Sequence, residues 1–260
     1  MNENPKVNLK EAMRYAKGQL IGRYGMAMWI ATLPILVETL ITTFTTNTAT
    51  SGVLIISVLI SIVVNLLIGV LILGQSKVFL YIARGDKSHN MSDVVTGLKE
   101  NVDKAILAQL PFTLVSVICI IPSIMYNLGF LKIPDNKLSV FELIINLVQI
   151  VLVFLAKTFF GMNFYLLSDH PEYDIATVYK ESITMLSGNR LRYVLLYIIN
   201  IPLMIVSCMA CFIGVFWFMA YIDTVFANFY LLLKGEKPWS IEDEFKINYD
   251  NINNDENNSF

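Results

Sequence analysis

The chain has 260 residues and a formal net charge of −2, with 55% hydrophobic residues and only 15% charged ones. Its mean hydropathy is +0.60. With so many apolar residues, a water-soluble domain would have too few polar residues to form its surface, so the composition excludes an ordinary soluble protein. The near-neutral charge gives no indication of a nucleic-acid partner.

The first element predicted along the chain is an amphipathic helix over residues 8–22. Apolar residues recur there at helical spacing, and basic residues form a separate stripe: Leu9, Met13, Ala16 and Leu20 on one face, Lys10, Arg14 and Lys17 on the other. We expect this helix to lie at the cytoplasmic interface of the bilayer, beside anionic lipid.

Six apolar stretches follow, each long enough to cross a bilayer as a helix. They cover residues 25–44, 53–73, 105–126, 140–167, 191–209 and 212–233. The last two are nearly continuous, but one helix over both would extend about 65 Å, well beyond a single hydrocarbon core. We therefore expect a tight turn near residues 211–214. The predicted fold class is all-α, a polytopic membrane helix bundle with interfacial helices.

The distribution of basic residues predicts the orientation of the bundle. Of 19 Lys and Arg residues, 16 lie at the termini or in alternate gaps, whereas Lys132 and Lys137 lie in another gap and Lys157 lies within a span. Positive charge concentrates in cytoplasmic loops, so both termini are predicted to be cytoplasmic, in a plasma membrane. Within the cytoplasmic gaps, residues 91–103 and 174–186 have amphipathic helical spacing, and Gly188 is a predicted C-cap.

The division into domains is simple. Residues 1–239 are predicted to form one membrane domain, and residues 240–260 form an acidic, Asn-rich cytoplasmic tail with too few apolar residues to fold alone.

Two charges within the spans are the first candidate site. Lys157 and Asp223 are predicted to lie at nearly the same depth, so they could pair inside the bundle. A proton or ion relay, or a polar cavity, is one interpretation, and a structural ion pair or a snorkelling lysine is the other. Glu38, one turn after Pro34, and Glu142 are expected near the outer interface, where water reaches them.

A second candidate is a stripe of small and polar residues in the second span, with one member every four positions: Ser57, Ser61, Asn65 and Gly69. Such a stripe lets another helix approach closely, although a substrate-lining stripe would have the same pattern.

Motifs for enzymatic chemistry are not evident in the sequence. Cys208 and Cys211 have the spacing of a thiol oxidoreductase but lie, like Cys119, in apolar surroundings, and His89 and His170 lack metal-ligand spacing. Nucleotide-binding, zinc-protease and serine-hydrolase motifs are absent from the printed sequence. We therefore expect no enzyme activity, cofactor or metal.

Most of the chain resembles a bacterial membrane-protein family catalogued as domain of unknown function 975, and the distinctive motifs lie mainly in the last 95 residues. The resemblance rests on Leu167-Ser-Asp-His-Pro-Glu-Tyr-Asp, on residues 179–193, and on the Gly-containing turn and Trp-containing span over residues 212–221, with Thr224, Ala227, Phe229 and Tyr230. Phe212 and Ala220 depart from its pattern, and an Ile-Pro-Gly signature is absent near Lys157. The resemblance implies a six-helix plasma-membrane protein and transfers no catalytic residue.

Three hypotheses of function remain open at this point. The first is a non-enzymatic envelope, interaction or immunity-type protein. The second is a permease subunit energised by a separate ATPase partner that docks on the cytoplasmic helices. The third is an ion-coupled carrier that uses Lys157 and Asp223.

Overall fold

The computed structural model describes residues 6–46, 54–86, 101–210 and 213–242, and within them every regular element is a helix. The all-α class is therefore confirmed. The helices are α1 (Leu9–Gln19), α2 (Tyr24–Thr46), α3 (Leu54–Arg84), α4 (Val102–Asn127), α5 (Asp135–Phe160), α6 (Asn163–Asp169), α7 (Ile175–Leu186), α8 (Arg190–Met209) and α9 (Ile213–Lys234).

Six stretches of the described residues are long and apolar enough to cross a membrane, as predicted. They are Tyr24–Ile41, Ile56–Arg84, Val102–Tyr126, Lys137–Asp169, Arg190–Met209 and Ile213–Lys234. The predicted separation of the last two spans is confirmed, because α8 ends at Met209 and α9 begins at Ile213.

The second span extends further than the sequence predicts. Its apolar stretch was expected to end at residue 73, but α3 continues to Arg84 and has 31 residues, about 46 Å in length. The extension is helical because Val78, Phe79 and Ile82 bury their side chains in the bundle core. The helix therefore continues past the end of the apolar stretch that hydropathy identifies.

The fourth span is interrupted near one end. The sequence predicted one stretch over residues 140–167, whereas α5 ends at Phe160 and α6 begins at Asn163 after a turn at Gly161 and Met162. Met162 and Asn163 are fully buried at this turn. The Asn163 side-chain amide donates a long hydrogen bond of 3.5 Å to the Ala108 carbonyl. The break therefore directs α6 into the core, where Phe164, Tyr165, Leu166 and Leu167 are buried.

Both predicted amphipathic helices at residues 8–22 and 174–186 form, as α1 and α7. The apolar side of α1 packs on α9 and α3 and buries Ala12, Tyr15 and Ala16, while Lys10, Arg14 and Lys17 are exposed. The helix is thus docked on protein along one side and presents its basic stripe on the other. Gly188 has a φ of +84°, which fits its predicted role after the end of α7. Most of the helix predicted at 91–103, and the tail from residue 243, lie outside the described residues.

The bundle is packed unevenly along its length. At the end that contains Arg84, Asp169 and Lys234, almost every residue of α9 from Ala220 to Leu233 is buried. At the opposite end the apolar side chains are exposed, among them Leu40, Leu59, Ile121, Ile144, Val206 and Met209. The buried core is therefore concentrated at the end that contains Arg84, Asp169 and Lys234.

Candidate functional site

An internal cavity of about 470 Å³ lies between the long helices. Its volume falls in the range of small-molecule sites. Every helix except α1 and α7 contributes to its wall, which has an unusual number of polar side chains for the interior of an apolar bundle: Glu38, Asn65, Gln75, Ser76, Gln109, Ser116, Lys157, Tyr165, Tyr193, Tyr197 and Asp223.

Asp223 supplies the carboxylate on the α9 side of the cavity. Its Oδ2 accepts a hydrogen bond of 2.5 Å from the side-chain amide of Gln75 on α3. The Tyr165 hydroxyl on α6 donates to the main-chain carbonyl of Asp223 at 3.2 Å. Because three helices meet at this residue, the position of the carboxylate is fixed by its neighbours.

Lys157 supplies the ammonium group, from the last turn of α5. Its Nζ lies 5.5 Å from the centre of the Tyr197 ring, a distance at which a cation is attracted to the ring face. Tyr197 is itself held by Phe154 at 4.9 Å and Phe226 at 4.5 Å between ring centres. The aromatic cluster therefore places the ammonium group at the cavity wall.

The two charges lie a similar number of residues from an ion pair at the ends of their segments. An ion pair of 2.6 Å joins Asp169 at the end of α6 to Lys234 at the end of α9. Lys157 precedes Asp169 by twelve residues and Asp223 precedes Lys234 by eleven. Both charges share the cavity wall, but they make no direct ion pair among the contacts that the described residues form. The cavity wall thus carries an ammonium group, Lys157, and a carboxylate, Asp223, that are not in contact with each other, and the second carboxylate of the wall, Glu38, has an interaction of its own.

The predicted stripe on α3, Ser57 to Gly69, has two roles: Gly69 packs against α4, and Asn65 lines the cavity. A Cβ atom at Gly69 would lie 2.7 Å from the Gln109 Cβ and 2.8 Å from the Ala105 carbonyl oxygen, so α4 crosses α3 in close contact at this glycine. The Asn65 Oδ1 accepts from Thr113 Oγ1 at 2.8 Å and from Gln109 Nε2 at 3.3 Å. Ser61 donates to the Ser57 carbonyl of its own helix.

The other residues that the sequence analysis selected are dispersed. Glu38 and Pro34 line the cavity, whereas Glu142 is exposed on α5. Cys119 is buried and Cys208 is exposed. His170 Nδ1 lies 3.1 Å from Glu172 and its ring stacks on Tyr173. Cys211 and His89 lie outside the described residues, and none of the described His, Cys, Asp and Glu residues form a group of three that could hold a metal ion.

Sequence reasoning missed an ion cluster at the tightly packed end, formed by Arg84, Asp169, Lys234 and Glu236. Arg84 donates two hydrogen bonds to the Glu236 carboxylate, at 2.8 and 2.9 Å, and a third contact of 2.8 Å reaches Asp169. Asp169 is 9% exposed and also accepts from the Tyr230 hydroxyl at 2.9 Å. The hydrogen bonds from Arg84 hold the pKa of the Glu236 carboxyl below its usual 4.5. The sequence indicated this cluster only through Asp169, which belongs to the run Leu167-Ser-Asp-His-Pro that carries the family resemblance.

The two glutamine amides of the cavity wall were also missed. Gln75 was assigned to a loop because it follows the apolar stretch, and Gln109 lies within the third span without any partner that spacing could identify. Isolated amides in apolar helices are a usable signal, since buried amides require hydrogen-bond partners.

No curated protein and no solved structure matches the chain. A family model described as "Protein of unknown function (DUF975)" matches residues 1–237, which is nearly the whole of the described chain. The family resemblance predicted from the sequence is therefore confirmed over nearly the whole chain, including the N-terminal helix and the cavity, and the chain belongs to the DUF975 family.

Proposed function

We propose that this protein is a non-enzymatic, multi-pass plasma-membrane protein that binds a small polar solute in its internal cavity, in the manner of a carrier. The observation that carries the proposal is the presence of Asp223 and Lys157 in one cavity without a direct ion pair. Charges within a membrane span are costly and are usually retained for a solute or ion pathway. A purely structural pair would gain more from direct contact, because each charge would then compensate the other.

The charge distribution supports an orientation with the ion cluster at the cytoplasmic face. Lys and Arg residues concentrate in the segments at that end of the bundle, including the exposed stripe of α1. The buried core is concentrated at the end with the ion cluster, and the cavity is lined by residues further along the same helices. In this orientation we expect the packed side chains to separate the cavity from the cytoplasm, as in one of the two states that an alternating-access carrier requires.

The envelope-accessory and ATPase-dependent permease hypotheses stay predictions. Both rest on surfaces that would bind another protein, and the permease hypothesis depends on the helix at 91–103, of which residues 91–100 lie outside the described structure. Anionic lipid at the cytoplasmic face is a partner that either hypothesis shares with the carrier.

The proposal is tested with purified protein in lipid nanodiscs and in proteoliposomes, against a panel of amino acids, polyamines, sugars and organic acids. We expect at least one solute to raise the unfolding temperature and to cross the bilayer only when the protein is present. Asp223→Asn and Lys157→Gln should each reduce that binding about tenfold or more, since a charge contact to a ligand contributes on the order of 1.5–3 kcal/mol. Glu142→Gln, an exposed acid on α5, is the matched control. Failure of every solute to bind would overturn the proposal.

A further inference from the structure

We propose that the cavity selects zwitterions, small molecules that carry one ammonium group and one anionic group, with Asp223 receiving the ammonium and Lys157 the anion. This inference rests on the proposed function and assigns a ligand class to its site.

The Asp223 carboxylate is prepared for a cation. Gln75 occupies one oxygen, Oδ2, and holds the group in place. Among the described residues, no hydrogen bond reaches the other oxygen, Oδ1, although the residue lines the cavity. A carboxylate with one oxygen held and the other available has the geometry to accept an ammonium N–H from a ligand.

The Lys157 ammonium is prepared for an anion in a complementary way. It rests over the Tyr197 ring, and the described side chains and carbonyls provide no hydrogen bond to it. A ring face attracts the charge without using the three N–H donors. Those donors are therefore available to a carboxylate or phosphate that enters the cavity.

The presence of both charges is what favours a zwitterion over a singly charged ligand. An amine would compensate Asp223 but leave Lys157 without an anion, and an acid would do the reverse. In surroundings of low dielectric constant, an uncompensated charge is penalised strongly. The cavity volume of about 470 Å³ leaves space for an ordinary amino acid together with water.

The same chemistry occurs in two sources, a free amino acid or short peptide and the headgroup of a zwitterionic phospholipid such as phosphatidylethanolamine. The test therefore begins with the full-length protein in nanodiscs made only of phosphatidylglycerol, which carries no ammonium group. Four probes are titrated by calorimetry: leucine, N-acetylleucine as the anion, leucinamide as the cation, and glycerol as the neutral molecule.

Leucine is expected to bind at least tenfold more tightly than either singly charged derivative. Asp223→Asn should abolish the advantage of leucine over N-acetylleucine, and Lys157→Gln should abolish its advantage over leucinamide. Lys137→Gln and Glu142→Gln, which remove exposed charges from the same helix as Lys157, are the controls and should bind like the parent protein. Each variant is first shown to elute as a single species of unchanged size.

The outcomes separate the two proposals. Equal binding of leucine and one of its derivatives, or preferences that neither variant alters, would overturn the zwitterion assignment while leaving solute binding intact. Tightest binding of glycerol would also overturn the zwitterion assignment and leave solute binding intact. If none of these probes and no solute of the wider panel binds, the proposed function itself fails. Where phosphatidylethanolamine added to the nanodisc displaces leucine, or binds in its place with the same response to both variants, the assignment stands and the ligand source is the lipid headgroup.

Discussion

Gln19 and Asn228 exchange two amide hydrogen bonds across 209 residues of sequence. Gln19 Nε2 donates to Asn228 Oδ1 at 3.0 Å, and Asn228 Nδ2 donates to Gln19 Oε1 at 2.8 Å. The Gln19 amide also reaches the carbonyls of Ala83 and Trp239, at 3.1 and 2.9 Å. One buried side chain therefore joins the N-terminal helix to α3, to α9 and to the segment after α9.

The first prediction concerns this junction. Gln19→Ala removes the donor to Asn228 Oδ1 and to the Trp239 carbonyl. The Asn228 amide N–H keeps the Ala12 carbonyl and the Ala83 carbonyl keeps the Trp239 N–H, so we expect a loss of about 1–3 kcal/mol in the free energy of unfolding. Limited proteolysis should also release the first 20 residues or so at a lower protease concentration. Gln149→Ala, at a half-buried position on α5, is the matched control. Equal stability of the two variants would show that α1 is not held by this amide.

The second prediction concerns the ion cluster. Asp169→Asn removes the anion that Arg84 and Lys234 share, so Lys234 loses its ion pair while Arg84 keeps only Glu236. Removal of one partner from a buried pair costs 3–5 kcal/mol, and the partial exposure of both cations reduces this to about 2–3 kcal/mol. The loss is measured by thermal unfolding in detergent. Asp174→Asn, at an exposed acid with no side-chain capping bond, should leave the unfolding temperature unchanged.

The third prediction tests the contact between α3 and α4. Gly69→Ala places a methyl group 2.7 Å from the Gln109 side chain and 2.8 Å from the Ala105 carbonyl, so the helices must separate. Overpacking of this kind costs about 1–3 kcal/mol. Gly25→Ala is the control, because nothing lies within 4 Å of its added methyl group. If both variants unfold at the same temperature, the close approach at Gly69 contributes nothing to stability.

The fourth prediction concerns the pH dependence of stability. The Arg84 hydrogen bonds place the folded pKa of Glu236 below its usual 4.5, so this carboxylate stabilises the protein fully above pH 4.5. That stabilisation is lost as the pH falls through the lower, folded value. Unfolding temperatures measured from pH 6 down to pH 3 should therefore decline, and Glu236→Gln should remove part of the decline by lowering stability at pH 6. An unchanged slope in the variant would contradict the assignment. Glu142→Gln provides the comparison.

The six spans could be predicted from hydropathy, but the cavity could not. The apolar stretch of α3 stops at Gln75, Ser76 and Lys77, and hydropathy alone excludes such a run from a span. In the fold, Gln75 and Ser76 turn toward the cavity, and the helix continues because the next two turns are buried. The partner of Gln75 is Asp223, 148 residues away, and no local pattern connects them.

The break between α5 and α6 was missed for a different reason. Gly161, Met162 and Asn163 lie in a run that remains apolar on average, so the stretch has the composition of a single helix. The helix ends where the Tyr193 side chain packs directly against Gly161 and leaves no space for a Cβ atom. The similar depth of Lys157 and Asp223 is a prediction from helical rise alone, whereas their lateral separation depends on how the helices pack around the cavity.

The last prediction concerns the basic stripe of α1. The helix is fixed to the bundle by Ala12, Ala16 and Gln19, and Lys10, Arg14 and Lys17 are exposed on its other side. Each basic residue near an anionic leaflet contributes about 1 kcal/mol, so the triple variant Lys10→Gln, Arg14→Gln, Lys17→Gln should bind phosphatidylglycerol roughly 100-fold more weakly. Native mass spectrometry of protein extracted from mixed-lipid nanodiscs measures the retained lipid.

The double variant Lys132→Gln, Lys137→Gln is the control for the basic stripe. It removes exposed charge in the gap predicted to be external and should retain the lipid. The difference should shrink as salt is raised, because exposed charges are screened within about 10 Å at 0.1 M ionic strength. Equal lipid retention by both variants would show that α1 is held by protein contacts alone and that its stripe does not bind the membrane surface.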